Sequence, residues 1–156
     1  MEQKKGIQDW TRVAEVELTY KTKVKASQRP QIKSSQDCYE VLLSIWNEGK
    51  IDLQEEFKVL LLNRSNKVTG LYEASSGGIT GTVADPRLIL ATAIKSLSVA
   101  LILAHNHPSG NLKPSSADEE LTRKIKMAAS YFDIKTLDHI IITSEGYFSF
   151  ADEGLL

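Results

Sequence analysis

The chain has 156 residues, 42% of them apolar and 25% charged, with a net charge of −1, a balance that fits one soluble domain with a single core and leaves no room for two. No run approaches the ~20 apolar residues needed to span a bilayer, and no apolar h-region follows the lysines of MEQKKGIQDW, so no secretory signal is expected and the expected compartment is the cytoplasm. Cys38 is the only cysteine, which excludes an internal disulfide and a thiolate-built zinc site, so any metal centre must draw on nitrogen and oxygen ligands.

From Val16 to Val24 the sequence alternates, with Val16, Leu18, Tyr20, Thr22 and Val24 on one face and Glu17, Thr19, Lys21 and Lys23 on the other, the pattern of a half-exposed strand. Residues 1–36 carry eight Lys or Arg against four Asp or Glu. A solvated edge strand kept soluble by lysines accounts for that bias, with contact to nucleic acid as the alternative, and an exposed edge leaves dimer formation open. Ala26 to Ser35 contains Pro30 and reads as a loop. Ser34 or Ser35 then caps a helix on which Tyr39, Leu42, Leu43 and Trp46 share a stripe, ended by Gly49. Glu55 to Asn63 is a strand, and Val68 to Tyr72 its hairpin partner across Ser65-Asn66-Lys67.

Ser75 to Gly81 reads as a loop; its Gly77, Gly78 and Gly81 do not form a phosphate loop, since GxxxxGK[ST] is absent. Asp85 and Pro86 open a second helix in the Asp-cap, Pro-first pattern. Val99 to Ala104 is continuously apolar, a strand buried on both faces. After HNHPSGNLKP a third helix is expected from Ser116 to Phe132, then a strand over Leu137 to Thr143 and a short one near Tyr147 to Phe150. Strands mixed with three helices that can cover a sheet point to an α/β sandwich with a mixed sheet.

The chemistry gathers where the buried strand ends. His105 and His107 are two residues apart, so both imidazoles fall on one side of the strand and Asn106 faces away. Pro108 ends the ladder and leaves them at the carboxyl end, the usual place for sites on open α/β sheets. Two imidazoles suit zinc, and a catalytic zinc takes a third protein ligand and keeps one position for water. Asp118 can be that third ligand, although Ser115-x-x-Asp118 also fits a helix capping box. Ser116-x-x-Glu119 forms an equivalent box one residue later, which would cap the helix and free Ser115 and Asp118 to point into the site.

Proton transfer in zinc hydrolases needs a carboxylate near the metal but not on it, and Glu55 and Glu56 are the candidates. Glu55 is in phase with Phe57, Val59 and Leu61; if its strand runs antiparallel to the histidine strand, its start meets the histidines. Ser115 can donate to an oxyanion, or simply cap the helix. Ser109 lacks the GxSxG context of a nucleophile, Cys38 on a helix face reads as core, and His139 in LDHIII reads as a packed, hydrogen-bonded core histidine rather than a ligand.

Glu55, His105-x-His107, seven residues, Ser115, two residues and Asp118 together resemble the E…HxH-x7-S-x2-D pattern of JAMM (MPN-type, JAB-domain) zinc metalloproteases. HNHPSG, PSSAD, GT at 81 to 82, PR at 86 to 87 and LDHIII are similar to the RadC-like branch in particular, and the resemblance extends from Val13 to Leu156. It implies a domain over residues 13–156 behind an N-terminal arm of residues 1–12, with a three-layer α/β sandwich related to cytidine deaminases. Those deaminases need HxE with PCxxC, which one cysteine cannot supply. It further implies one Zn2+ held by His105, His107 and Asp118, Glu55 as general acid/base, Ser115 at the oxyanion, and a protein or peptide substrate cut at an amide or isopeptide bond. Longer RadC-type proteins carry a helix-hairpin-helix region before this domain, and the stretch before Val13 is too short for one. The alternative function is a DNA repair or recombination accessory with a non-catalytic metal site, its basic arm on phosphate; a third, an inactive scaffold, is disfavoured by the intact five-residue set.

Overall fold

The computed structural model describes residues 21–77 and 83–156. After a 3-10 turn over Ala26–Gln28, the order is α1 (Ser35–Ile45), β1 (Glu56–Leu62), β2 (Val68–Ser76), α2 (Pro86–Lys95), β3 (Ala100–Asn106), α3 (Ser116–Ser130), β4 (Lys135–Ile142) and β5 (Tyr147–Ser149). The strands form one sheet in the order β2-β1-β3-β4-β5. Among the described residues only β3 and β4 run parallel, joined by the crossover through α3; the other neighbours are antiparallel. The protein is therefore α/β with a mixed sheet, and β3 lies at its centre.

Both faces of the central strands are buried, and the period of two divides them. Leu60, Leu62, Ile102 and Ala104 meet Cys38 and Leu42 of α1 on one side. Val59, Leu61, Leu101 and Leu103 meet Ile89 and Ala93 of α2 and Ile125 and Ala129 of α3 on the other. Helices on both faces make three layers, and every residue of β1 and of β3 is buried. Burial also sets Cys38: loss of water first, then the negative charges of Asp138 and Asp37, push its thiol up to about 12, so it packs as a small apolar group.

Local chemistry explains the element ends. Ser34 caps α1 by accepting the Asp37 N–H, and Asp85 caps α2 by accepting the Arg87 N–H, with Pro86 in the first turn. In the β1–β2 hairpin the Asn63 side chain accepts from the Ser65 and Lys67 amides, and Asn66 takes the left-handed conformation that asparagine tolerates.

Several expectations move. Helix α1 ends at Ile45 rather than running to Gly49, because Trp46 turns to extended backbone and packs into the core while Asn47 begins a turn of its own. Strand β2 reaches Ser76 rather than Tyr72, since a bulge between Phe57 and Lys58 lets Ser75 and Ser76 keep pairing with β1. Helix α3 stops at Ser130, two residues before Phe132. Of the strand expected over Val16 to Val24, residues 16–20 lie outside the described residues, as does the arm over 1–12. Residues 21–24 form no strand: the Thr22 hydroxyl bonds both backbone groups of Val24 and closes a local turn. Among the described residues no helix is long and apolar enough to cross a membrane.

Leu42 is fully buried and joins α1 to the sheet. Leu42→Ala should lower the free energy of unfolding by about 3 kcal/mol, read as a lower urea midpoint at unchanged slope. An unchanged midpoint would mean that α1 does not seal that face.

Candidate metal centre

Strands β1 and β3 pair antiparallel, the condition on which Glu55 could reach the histidines, with Phe57 opposite His105. Glu55 lies two residues before Phe57 and His107 two residues after His105, so the antiparallel register carries both to the same end of the strand pair. Glu55 is half-buried just before β1, its carbonyl accepting the Gly77 N–H at 2.8 Å. Its charge is felt at His107. Glu56 points to the opposite face, where its carboxylate lies 3.5 Å from the buried Lys58 ammonium, which also bonds Glu73 at 2.9 Å and sits over the Trp46 ring. The pleat of the strand thus sends the two glutamates to opposite faces.

Asn106, between the histidines, faces away from them and is fully buried. Its side chain accepts the Glu56 N–H at 2.7 Å and donates to the carbonyls of Ile51 at 2.7 Å and Gln54 at 2.9 Å. One amide therefore clamps the segment that carries Glu55 to the strand that carries His105 and His107.

On the other face three side chains converge. His105 Nε2 lies 3.0 Å from His107 Nε2 and 3.4 Å from Asp118 Oδ1, and His107 Nε2 lies 3.7 Å from Asp118 Oδ2. One ligand atom from each falls within 4.8 Å of the others, so the group could hold a metal ion. The remaining ring nitrogens are engaged: His107 Nδ1 with the Asn111 carbonyl at 2.5 Å, and His105 Nδ1 with His139 Nε2 at 2.8 Å. A carbonyl only accepts, so a neutral His107 carries its proton on Nδ1 and turns a bare Nε2 into the cluster. The lone pair on that nitrogen, with His105 Nε2 and the Asp118 carboxylate beside it, could bind a cation, and the donor set fits one with a preference for nitrogen and oxygen.

The electrostatics agree. Burial alone raises the Asp118 carboxyl, but its contacts with the His105 and His107 rings, and the Ser115 amide, outweigh that and hold it well below the usual carboxylate range. The Asp118 contact raises His107 against the opposing effect of burial. His139 is fully buried, and loss of water holds its pKa well below the usual imidazole value.

The capping expectation needs correcting. Ser115, not Ser116, is the N-cap of α3: its hydroxyl accepts the Asp118 N–H at 3.1 Å while Asp118 Oδ2 accepts the Ser115 N–H at 2.7 Å, a full capping box. Asp118 still faces both histidines, because a carboxylate has lone pairs for both tasks. No shift of the cap by one residue is needed to free it.

The family model for the RadC-like JAB domain matches residues 32–155, a span that holds Glu55, both histidines, Ser115 and Asp118. The chain belongs to the RadC-like JAB domain family. Relatives agree with the family model. A UPF0758 protein of Flavobacterium johnsoniae is 47% identical over 125 residues, 80% of this chain and 53% of that protein. One from Porphyromonas gingivalis is 51% identical over 104 residues, 66% of this chain and 46% of that protein, and one from Pelodictyon phaeoclathratiforme is 36% identical over 146 residues, 92% and 64% respectively. The chain spans about half the length of the first two.

Within this JAB domain, His139 is the core histidine that the sequence led one to expect, but its partner is His105, and Thr122 bonds its other nitrogen at 2.5 Å. Thr122 was not singled out from the sequence. The available signal was its place one helical turn after Asp118, on the same face. Cys38 does not join the converging group; it packs from α1 into the core.

Asn106→Ala strands one buried N–H and two carbonyls, and should cost about 3 kcal/mol. Hydrogen exchange should show the Glu56 amide opening faster than the amides of β3; an unchanged Glu56 rate would show that the clamp holds nothing.

Proposed function

We propose that this RadC-like JAB domain is a zinc-dependent hydrolase that cuts an amide or isopeptide bond in a protein or peptide. The observation that carries this reading is the convergence of His105 Nε2, His107 Nε2 and the Asp118 carboxylate at the carboxyl end of β3, with the start of β1 at that end and the Glu55 charge felt at His107. Two imidazoles and one carboxylate suit zinc and leave a fourth position for water. When bound, zinc would lower the pKa of a water molecule and polarise a substrate carbonyl.

The chain's own residues supply the rest. Glu55, whose charge reaches His107 and which is not one of the three ligand candidates, suits a base that takes a proton from water and returns it to the leaving amine. The Asn106 clamp limits how far that carboxylate can drift. Ser115 accepts the Asp118 N–H at its Oγ, which leaves its hydroxyl proton to donate to an oxyanion. His105 and His139 are walled by Phe57 and Phe150, an apolar surround that strengthens the electrostatics at the cluster.

Protein purified without added zinc should carry about one equivalent by elemental analysis, and His107→Ala should lose it; equal metal in the two would remove the centre. Glu55→Gln should keep its zinc and lose at least about 100-fold in hydrolysis, measured across a library of peptides and isopeptides. Loss of metal in that variant would make Glu55 a ligand. A library on which wild type and Glu55→Gln behave alike would overturn the hydrolase reading, and salt-sensitive binding of DNA by the full chain would then mark a nucleic-acid accessory instead.

A further inference from the structure

The proposed zinc site explains why His105 and His107 converge, but not why the sheet buries a third histidine beside them. His139 has no exposed surface. Phe150 stacks on its ring at 4.7 Å between centroids and 15° between planes, and Phe57 meets its edge at 5.5 Å. Both nitrogens are bonded: Nε2 to His105 Nδ1 at 2.8 Å and Nδ1 to the Thr122 hydroxyl at 2.5 Å. Flipping the ring would point carbon at both partners, so its orientation is fixed.

The proton positions follow from counting donors. Thr122 has one hydroxyl proton, and its Oγ1 lies 2.6 Å from the Asp118 carbonyl one turn earlier in α3, an acceptor with nothing to donate. With that proton committed, the hydroxyl oxygen can only accept, so His139 must carry its proton on Nδ1. A neutral imidazole has a single N–H, so His139 Nε2 must accept, and His105 must donate from Nδ1. A neutral His105 then has its lone pair on Nε2, the atom that faces His107 and Asp118.

We infer that Thr122 and His139 are positioning residues that set the tautomer of His105, so that its Nε2 lone pair is presented to the metal. The relay starts and ends on Asp118: the helix that supplies the carboxylate also supplies, through its Asp118 carbonyl and Thr122, the group that decides which nitrogen of His105 is free. His107 reaches the same state by a shorter route, its Nδ1 bonded directly to the Asn111 carbonyl. The opposite chain, with the Thr122 proton turned to His139, would put a proton on His105 Nε2 and block it as a ligand. The inference rests on the proposed centre for its purpose, but the direction of the relay is a property of the metal-free protein.

Two measurements test it. Long-range nitrogen–proton correlation spectra of the metal-free wild type, with nitrogen-15 in its histidines, should show His139 protonated on Nδ1; protonation on Nε2 would overturn the relay. By chelator competition, Thr122→Val, which keeps the side-chain shape but removes the hydroxyl, should bind zinc about 10- to 100-fold more weakly, whereas Thr122→Ser should bind within about threefold of wild type. A folded Thr122→Val variant that binds zinc like wild type would also overturn it. Wild type that takes up no zinc would sink the centre itself, and the His139 tautomer would still decide the relay.

Discussion

Burying an imidazole whose two nitrogens both need partners is the constraint on which the rest of this molecule turns. His105 is 1% exposed at the end of the central strand, where an unpaired polar group costs about 1–3 kcal/mol. One nitrogen is answered from inside the sheet, by His139 on the neighbouring parallel strand. The other cannot be answered that way, because it faces a second imidazole and a carboxylate. The fold thus seals one side of the ring and leaves the other to a cluster that could hold a cation.

That arrangement depends on strand register to the residue. The parallel pairing sets His105 opposite Ile141, so the ring it touches is His139, two residues earlier on the same face of β4. The antiparallel pairing on the other side sets Phe57 opposite His105 and so brings the start of β1, with Glu55 just before it, to the histidine end of β3. A slip of one residue in either strand would turn its side chains to the other face, exchanging Glu55 for Glu56 and His139 for an isoleucine. Buried apolar residues on both faces of β1 and β3 make such a slip expensive, so the stability of the core and the precision of the site are one property.

Much of this was legible from short-range patterns. The period of two along a strand fixes which side chains of Val99 to His107 share a face, and the phase of Glu55 with Phe57 needs only a pairing direction to become a position. What escaped depends on contacts between elements or on choices between near-equal local options. Ser115 and Ser116 each offer a capping box, and the winner is decided by where the Asp118 carboxylate is held. Trp46 has a good helical spacing but gains more by turning into the core at the end of α1. Serines at 75 and 76 look like loop yet pair with β1 once a bulge absorbs the mismatch. Thr122 has no motif of its own, and becomes visible only when α3 lies across β4.

Asp118 ties the helix to the site most directly. Its Oδ2 accepts the Ser115 N–H at 2.7 Å and lies 3.7 Å from His107, while its Oδ1 faces His105 at 3.4 Å and its carbonyl accepts the Thr122 hydroxyl. A side chain used only as a ligand would rely on rotamer preference to hold its angle; this one is held by the start of the helix it caps. The first turn of α3 is therefore both a structural terminus and the frame of the candidate metal site. Because the carboxylate is needed near the histidines and the cap needs the same carboxylate, helix initiation and ligand geometry cannot be changed separately, and the capping box strengthens the case for Asp118 as a ligand where, from sequence alone, it competed with it.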